Sequence, residues 1–386
     1  MRTPLFFKIL VIVSIIYVSC QKPIVKEFQE HKPKIVYKLR NIRNTMYFNI
    51  DENIDSVRYL FLEYSKNSRI THIDKIRFDG NTIYILSKTQ NAILAFTTDG
   101  KFLFKIVSNY IDNFQINDHK LILYDRLRGI VYIYNKQGKQ IEKLPIGFHG
   151  IEVTCIDENT YAFYTGGLET VDQGSRSHEI ALVKKSGELK ALLCPVPTSQ
   201  VNAKYYSEWR FSVVNDSTFF IPAFSNTVYN LRINEIRPIF ELDFGRSNLT
   251  DSIFSTINMV GNYHIFPFVL DLTYVFSNKN FIFLSFSLKG EEGYALLDKI
   301  NKRTIGYGIG GSSGLKSDYN AIIPETCNGN RFVAVVKSEV FIENIKLSKS
   351  KYKNGTLKYR KNFFLLNETE TNKNPVLLSY SVKMVN

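Results

Sequence analysis

The chain has 386 residues, enough for one large domain, and its 44% hydrophobic content excludes a disordered protein. Its 29 phenylalanines and 23 tyrosines favour a β-rich fold, since aromatic side chains fit the half-buried surface of a sheet. The formal net charge of +13 can favour anionic partners. Because no basic helix and no RNA-binding aromatic motif accompanies it, we expect a solvated, lysine-rich surface and no nucleic-acid partner.

The first twenty residues have the three parts of an export signal. Two basic residues precede an uncharged apolar run, Ile9–Val18, and Cys20 follows. The run is about half as long as a membrane-spanning helix requires. The segment Tyr17-Val18-Ser19-Cys20 resembles a lipobox, in which the cysteine thiol receives diacylglycerol before the signal is cut. We therefore predict a signal peptide over residues 1–19 and lipidation of Cys20.

Residues 20–34 are predicted to form a lipidated N-terminus and a polar tether. Each buried methylene of an acyl chain contributes roughly 0.8 kcal/mol, so two or three chains would hold the protein at a membrane. Gln21 stands where some lipoproteins retained at the inner membrane have Asp. We expect a lipid-anchored protein of the cell envelope, in the outer membrane, and leave open whether it faces the periplasm or the surface.

A repeat with a spacing of 38 residues begins at Phe78. Its first copy has a turn at Asp79-Gly80-Asn81, an apolar strand, and a second turn at Thr98-Asp99-Gly100; Ile116–Tyr124 and Lys136–Lys139 restate the pattern. Such a unit of short strands cannot bury both of its faces alone. Stacking the units radially solves the problem, which is the β-propeller arrangement.

Weaker copies share an asparagine-rich turn before an apolar strand, and they begin at Glu158, Asn215, Asn278 and Asn328. The repeats predict an all-β fold, a six-bladed β-propeller of four-stranded antiparallel blades over residues 35–386. We expect an N-terminal strand, either Ile35–Leu39 or Val57–Leu62, to close the ring beside Val376–Val382.

Three segments are similar to a known family of propellers. Asn226–Leu231, followed by Pro238–Gly245, is similar to the family's fourth-blade pattern, and Asn374–Leu377 is similar to the start of its closing strand. On these segments the chain resembles the six-bladed propeller lipoproteins of Bacteroides-type Gram-negative envelopes, which are similar to NHL-repeat propellers. The resemblance implies a fold and no general activity, so no catalytic residue, metal or cofactor is carried over.

Propellers bind ligands where their loops converge on the central channel, so loop residues are the candidates for binding. The candidates are Arg126, Arg128, His149, His178, Trp209, Arg210 and His264. Arg126 and Arg128 could clamp a carboxylate or phosphate, although a salt bridge with Asp125 explains them equally well. Trp209 and Arg210 form an aromatic and cationic pair suited to stacking a sugar or base. Each histidine could instead be an ordinary residue of the rim.

Several other motifs have structural interpretations. Cys155, Cys194 and Cys327 fit no zinc spacing, allow at most one disulfide, and are expected to be small buried side chains. The glycine-rich run Gly306–Gly314 lacks the helix and the lysine of a phosphate loop, so we interpret it as a flexible connection between blades. The basic stretch Lys346–Lys361 could meet anionic lipid or form a solvated hairpin.

These patterns predict a membrane-anchored envelope propeller that binds or scaffolds a glycan, peptide or protein partner without a cofactor. The alternative is a hydrolase or lyase with a metal-assisted site at the central channel. The sequence contains no HExxH motif. Whether the chain is an enzyme stays open at this stage.

Overall fold

The computed structural model describes the following residues: 24–25, 33–39, 48–108, 110–166, 178–196, 210–214, 217–232, 235–250, 253, 266–309, 315–316, 323–343 and 373–383. Strands are numbered in chain order. Four strands precede the first complete blade: β1 (Ile24–Val25), β2 (Val36–Lys38), β3 (Phe48–Asn49) and β4 (Ile54–Phe61).

The first three blades are antiparallel sheets of consecutive strands. Blade 1 contains β5 (Lys75–Asp79), β6 (Thr82–Ser87), β7 (Ala92–Thr97) and β8 (Phe102–Val107). Blade 2 contains β9 (Asn113–Asn117), β10 (Lys120–Asp125), β11 (Ile130–Tyr134) and β12 (Gln140–Pro145). Blade 3 contains β13 (Glu152–Asp157), β14 (Thr160–Tyr164), β15 (His178–Lys184) and β16 (Leu189–Pro195).

The last three blades complete the ring. Blade 4 contains β17 (Phe211–Val214), β18 (Ser217–Phe220), β19 (Thr227–Arg232) and β20 (Glu235–Asp243). Blade 5 contains β21 (Val269–Ser277), β22 (Phe281–Leu288), β23 (Glu291–Asp298) and β24 (Arg303–Ile309); β25 (Leu315–Lys316) follows it and pairs with β3. Blade 6 contains β26 (Pro324–Asn328), β27 (Arg331–Val336) and β28 (Val376–Val382), with β4 outermost. The predicted six-bladed propeller is confirmed.

Helical structure is minor in the described part of the chain. A short helix covers residues 338–343. Single 3-10 turns lie at Asp51–Asn53, Lys88–Gln90 and Gly245–Ser247. No helix in the described ranges is long and apolar enough to cross a membrane.

Tight turns link the strands where the repeat predicts them. Gly100, between β7 and β8, has a φ of +89°, and a Cβ there would collide with the backbone carbonyl of Phe61. That carbonyl belongs to β4, so this glycine both permits the turn and lets blade 1 approach blade 6. The bond from Glu63 N–H to the Gly100 carbonyl, at 2.8 Å, ties the same two blades together.

The hydrophobic core lies between the blades. The middle strands β6, β7, β14 and β22 are buried over almost their whole length, because each blade packs both of its faces on its neighbours. Phe283 of blade 5 contacts Phe332 of blade 6, with ring centroids 6.1 Å apart, and Phe332 in turn contacts Tyr380 at 5.7 Å. The many aromatic side chains of the sequence therefore fill the space between the sheets.

The ring closes through the second of the two predicted N-terminal strands. β4 pairs antiparallel with β28, with Val376 opposite Phe61. Asn374, just before β28, is buried; its side chain accepts the N–H of Ile70 at 2.8 Å and donates to the Glu63 carbonyl at 2.8 Å. The alternative closing strand Ile35–Leu39 is wrong, because β2 within it pairs parallel to β20 of blade 4.

The described parts of the N-terminal segment lie along the outer edges of four successive blades. β1 pairs parallel to β16 of blade 3, β2 pairs parallel to β20 of blade 4, and β3 contacts β24 of blade 5 before β4 completes blade 6. We call the residues of β1–β4 the N-terminal strap. It covers outer edges that would otherwise present unpaired backbone groups.

One prediction about glycines is wrong. Residues 306–309 of the glycine-rich run form part of β24, whereas we expected a flexible connection; residues 310–314 lie outside the described ranges. Gly306 is needed in this strand because the aromatic ring of Phe48, from the strap, occupies the space of a Cβ. The basic stretch Lys346–Lys361 also lies outside the described residues.

The three described cysteines are free thiols. Cys194 is buried, and Cys155 and Cys327 are half-buried. Burial raises the pKa of the Cys155 thiol to about 11, an effect that the nearby Asp157 carboxylate reinforces. At neutral pH these cysteines therefore act as small apolar side chains, as predicted.

Candidate functional site

The innermost strands β5, β9, β13, β17, β21 and β26 contact one another in a closed ring around the central channel. Each begins at one mouth of the channel and ends at the other. We call the end near Lys75 and Glu152 the first mouth, and the end near Asn117 and Asp157 the second mouth. The two mouths differ in chemistry.

Glu152 organises the first mouth. Its Oε1 accepts a bond from Lys75 Nζ at 3.2 Å, and its Oε2 accepts the backbone N–H groups of Arg210 at 2.8 Å and Phe211 at 3.0 Å. Lys75 Nζ also donates to Asn113 Oδ1 at 2.6 Å. One carboxylate thus joins blades 1, 3 and 4 across the channel.

A second buried ion pair joins blades 4 and 5. The Arg210 guanidinium donates to Asp271 Oδ1 at 2.9 Å and to Asp271 Oδ2 at 2.7 Å, and both side chains are fully buried. The guanidinium also lies 5.6 Å from the centre of the Tyr164 ring of blade 3. Planar two-point pairing of this kind fixes orientation as well as distance.

Burial sets the charges of this network. Desolvation, with a smaller contribution from Arg77, lowers the pKa of Lys75 to about 7, although Glu152 opposes the shift. Desolvation raises the pKa of Glu179 to about 8; its Oε2 accepts the N–H of Ala223 at 2.8 Å. Burial lowers the pKa of Arg210, but Asp271, Tyr164 and Glu179 together outweigh burial and the net shift is upward, so this guanidinium stays charged.

Three candidate residues lie in or near the loop after β10. Arg128 Nη1 pairs with the buried Asp125 Oδ2 at 2.9 Å, and its guanidinium lies 5.6 Å from the centre of the Tyr110 ring. Arg126 is exposed, and its carbonyl contacts His149 Nδ1 at 2.9 Å. The salt bridge that the sequence offered as the alternative explanation of Arg128 is therefore present.

We expected the other candidates to be exposed loop residues, and those that the structure describes are buried. His178 is the first residue of β15 and is buried. Arg210 is a buried residue of the channel wall, because Asp271 compensates its charge. Cys20, Trp209 and His264 lie outside the described ranges, and so do residues 167–177 between β14 and β15.

A pocket of about 330 Å³ opens at the second mouth, between blades 2, 3 and 4. Its walls are the far ends of β9 and β13 together with the facing ends of β18 and β19. Its lining residues include Gln115 and Asn230, and each has a buried side-chain carbonyl oxygen with no hydrogen-bond partner among the described residues, although Asn230 shares its strand face with Phe219 of the core between blades 4 and 5. An unmet buried acceptor costs roughly 1–3 kcal/mol, so such oxygens call for an explanation.

Sequence reasoning missed most of this site. Lys75, Asn113 and Glu152 each stand at the first position of an innermost strand, where the repeat could have been searched for polar side chains. Gln115 lies two residues further along β9, on the same face as Asn113. A polar residue at an otherwise apolar strand position was the available signal.

No group of three or more metal-ligating side chains is present in the described parts of the chain.

Comparisons with known proteins agree with the fold. The family model for a domain of unknown function, DUF4934, matches residues 34–381. An exported protein of Bacteroides fragilis has a crystal structure similar to this chain, with a TM-score of 0.67 and 14% identity over 91% of this chain and 99% of that one. A DUF4221-family protein of Bacteroides vulgatus gives a TM-score of 0.47 and 10% identity over 86% and 98% of the two chains. No curated protein matches by sequence. The resemblance to propeller proteins of Bacteroides is thus confirmed.

Proposed function

Because the chain belongs to the DUF4934 family, which is described only as a domain of unknown function, we propose a function from its own residues: an exported, lipid-anchored envelope protein that binds a glycan, peptide or protein partner at the second mouth. The pocket, whose lining residues include the polar and charged Asn117, Asp157 and Arg232, is the observation that carries this proposal. A concave site with a few convergent polar groups is the usual form of a ligand site.

The difference between the mouths supports binding at the second one. At the first mouth, Lys75, Glu152 and Asp271 bond to residues of neighbouring blades. These bonds occupy the hydrogen-bonding groups of the three side chains and hold the channel wall rigid. At the second mouth, the charged residues Asp157 and Arg232 line the pocket, and a rigid wall lowers the entropy lost on binding.

The N-terminus supports the location. The apolar run and Cys20 match a lipoprotein signal, and the similar protein of Bacteroides fragilis is described as exported. An acylated Cys20 would keep the propeller at a membrane surface, within reach of envelope glycans and peptides.

A pocket-filling variant tests the proposal. Ser217, the first residue of β18, lines the pocket, and Thr82 holds the same position in blade 1 away from it. Ser217→Trp should abolish binding, and Thr82→Trp should leave it intact. The protein, lacking residues 1–19, is screened on arrays of defined oligosaccharides and short peptides, and hits are measured by calorimetry.

Two results would overturn the proposal. One is the absence of any bound probe from either array with the folded protein. The other is a hit whose affinity is the same for the Ser217→Trp variant and the unmodified protein, which would place binding elsewhere.

A further inference from the structure

The first strand of the N-terminal strap fixes the end of the propeller at which the chain arrives. β1 pairs parallel to β16, with Ile24 opposite Ala191. β16 is the fourth strand of an antiparallel blade whose innermost strand, β13, runs from the first mouth to the second, so β16 runs from the second mouth to the first. The chain therefore enters β1 from the second-mouth end of blade 3.

The spacer between Cys20 and β1 is short. Three residues separate Cys20 from Ile24, so the Cα atoms of these two residues are at most about 14 Å apart. The headgroup region of a bilayer is itself about 5–8 Å thick on each side. A lipid on Cys20 would therefore hold the second-mouth end of blade 3 close to the membrane surface.

The turns around this point are basic. Residues 135–143, 184–190 and 232–237 contain the outer turns of blades 2, 3 and 4 at the second-mouth end, and they hold eight basic and three acidic side chains. We call these residues the basic rim. Each acidic side chain pairs with a basic one, in the pairs Lys185–Glu142, Lys184–Glu188 and Arg237–Glu235. Five positive charges are left in excess.

This charge is concentrated on one side of the face. Across the ring, the corresponding turn of blade 6 spans residues 379–383 and 51–55, and it holds three acidic side chains and one basic side chain. Basic clusters beside a membrane attachment attract anionic lipid headgroups. An acyl anchor and a basic patch together form a common two-part attachment, because neither is needed to hold the protein alone.

The shape of this face permits close approach to a bilayer. Each turn that joins consecutive strands of a blade there contains five residues or fewer, so the face is flat. Ile141, on the outermost strand of blade 2 and within the basic rim, is 51% exposed. An apolar side chain among basic ones suits the boundary between headgroups and acyl chains.

We propose that the basic rim docks on an anionic phospholipid surface, so that the second mouth faces the membrane and the first mouth faces away from it. The proposal rests on the lipid on Cys20 in the proposed function and adds an orientation to it. The pocket opens on the same face, so its ligand would arrive through the layer next to the bilayer.

Vesicle binding tests the surface without the anchor. The protein, lacking residues 1–19 and carrying Cys20→Ser, is sedimented with vesicles of phosphatidylcholine alone or with about one third phosphatidylglycerol. We expect binding to the anionic vesicles alone, and less of it at high salt, because salt screens exposed charges. No binding to the anionic vesicles, or equal binding to both compositions, would overturn the proposal.

Paired lysine variants locate the surface. Lys136→Gln with Lys139→Gln removes two exposed charges of the basic rim and should weaken vesicle binding at least about tenfold. Lys279→Gln with Lys302→Gln removes two exposed charges from the second-mouth turns of blade 5. This matched control should bind as the unmodified protein does. Equal losses in the two pairs would overturn the proposal, because net charge and not the basic rim would then attract the lipid.

The orientation is read from the lipidated full chain in the anionic vesicles. In a background of Cys155→Ser and Cys327→Ser, a fluorophore is attached through Gln137→Cys or Leu127→Cys, in exposed turns at the second-mouth and first-mouth ends of blade 2. Spin-labelled lipid should quench the first label strongly and the second weakly. Equal quenching, or the reverse order, would contradict the orientation. If this background does not fold, the lysine variants, which keep both thiols, decide.

The outcomes separate this inference from the proposed function. If palmitate is incorporated at Cys20 and a ligand binds at the pocket while the vesicle tests fail, the orientation is wrong and the proposed function stands. If palmitate is not incorporated, the lipid anchor is wrong. The lysine variants, which carry no anchor, then still decide whether the basic rim binds lipid.

Discussion

Arg210 and Asp271 form a two-point ion pair, at 2.9 and 2.7 Å, although they belong to neighbouring blades and neither side chain is exposed. A pair of buried charges offsets its desolvation cost only when both partners are present. The pair therefore joins blades 4 and 5. Removing one partner should cost much more stability than replacing both.

Asp271→Asn should lower the free energy of unfolding by about 3–5 kcal/mol, because it leaves a guanidinium buried without its counter-charge. The double variant Arg210→Met with Asp271→Leu should recover much of that loss. Urea unfolding measures both. Lys184→Met, which breaks the exposed pair with Glu188, is the control and should cost less than about 1 kcal/mol. Equal losses in the single and double variants would contradict this account.

Glu179 should make stability depend on pH. Burial raises its folded-state pKa from the ordinary value of 4.5 to about 8, so between these values the folded protein holds a proton that the unfolded chain has lost. The free energy of unfolding should therefore fall as pH rises, by up to about 1.4 kcal/mol per unit from this group. Glu179→Gln, which mimics the protonated acid, should remove that contribution.

The measurement for Glu179 is urea unfolding between about pH 5 and pH 7. Lys75, with a folded-state pKa lowered to about 7, adds stability only as pH rises above that value, so it does not interfere in this window. Glu188→Gln, on the exposed β15–β16 turn, serves as the comparison. A slope that is unchanged in Glu179→Gln would show that the carboxyl group is ionised in the folded state.

Gly306→Ala should loosen the N-terminal strap. The added methyl group would occupy the space of the Phe48 ring, and overpacking of this kind typically costs about 1–3 kcal/mol. Phe48→Ala should also be destabilising, and the double variant should lose less than the sum of the two, because the second change relieves the collision. Urea unfolding measures the coupling, and strict additivity would show that the two residues do not press on each other.

Cys20→Ser should release the protein from the membrane. We expect the unmodified chain, expressed in a Bacteroides host, to incorporate radiolabelled palmitate and to sediment with membranes, because acyl chains on Cys20 would anchor it. The variant should lose both properties. Cys155→Ser, which changes a half-buried thiol inside the propeller, should retain them. Labelling that persists in Cys20→Ser would contradict lipidation at this position.

The fold could be predicted from the sequence because the turns and strands of each blade are encoded by neighbouring residues. The turns at Gly80 and Gly100 and the apolar strands between them recur after 38 residues. Each copy is enough by itself to predict one blade. The glycines of β24 were misread for the same reason. Nothing within that strand indicates that Phe48, far away in the chain, takes the place of a side chain at Gly306.

The channel could not be predicted in this way. Glu152 bonds to Lys75, 77 residues earlier, and to the backbone of Arg210, 58 residues later. Only the closure of the ring brings these groups together, so no local sequence pattern predicts their contacts. Arg210 looked like an exposed cation beside Trp209 because its partner Asp271 lies 61 residues further on.

Ring closure also limits the order in which the chain can fold. The hydroxyl groups of Ser56 and Ser381 lie 2.7 Å apart across β4 and β28, although 325 positions separate them. β4, which is the N-terminal strand of blade 6, is therefore made early and must wait for almost the whole chain before it finds its partner strand. Contacts of such high sequence separation slow folding and leave unpaired strand edges exposed meanwhile. We expect newly made chains to depend on chaperones until their last strand arrives, and chains truncated before Val376 to be cleared by proteases.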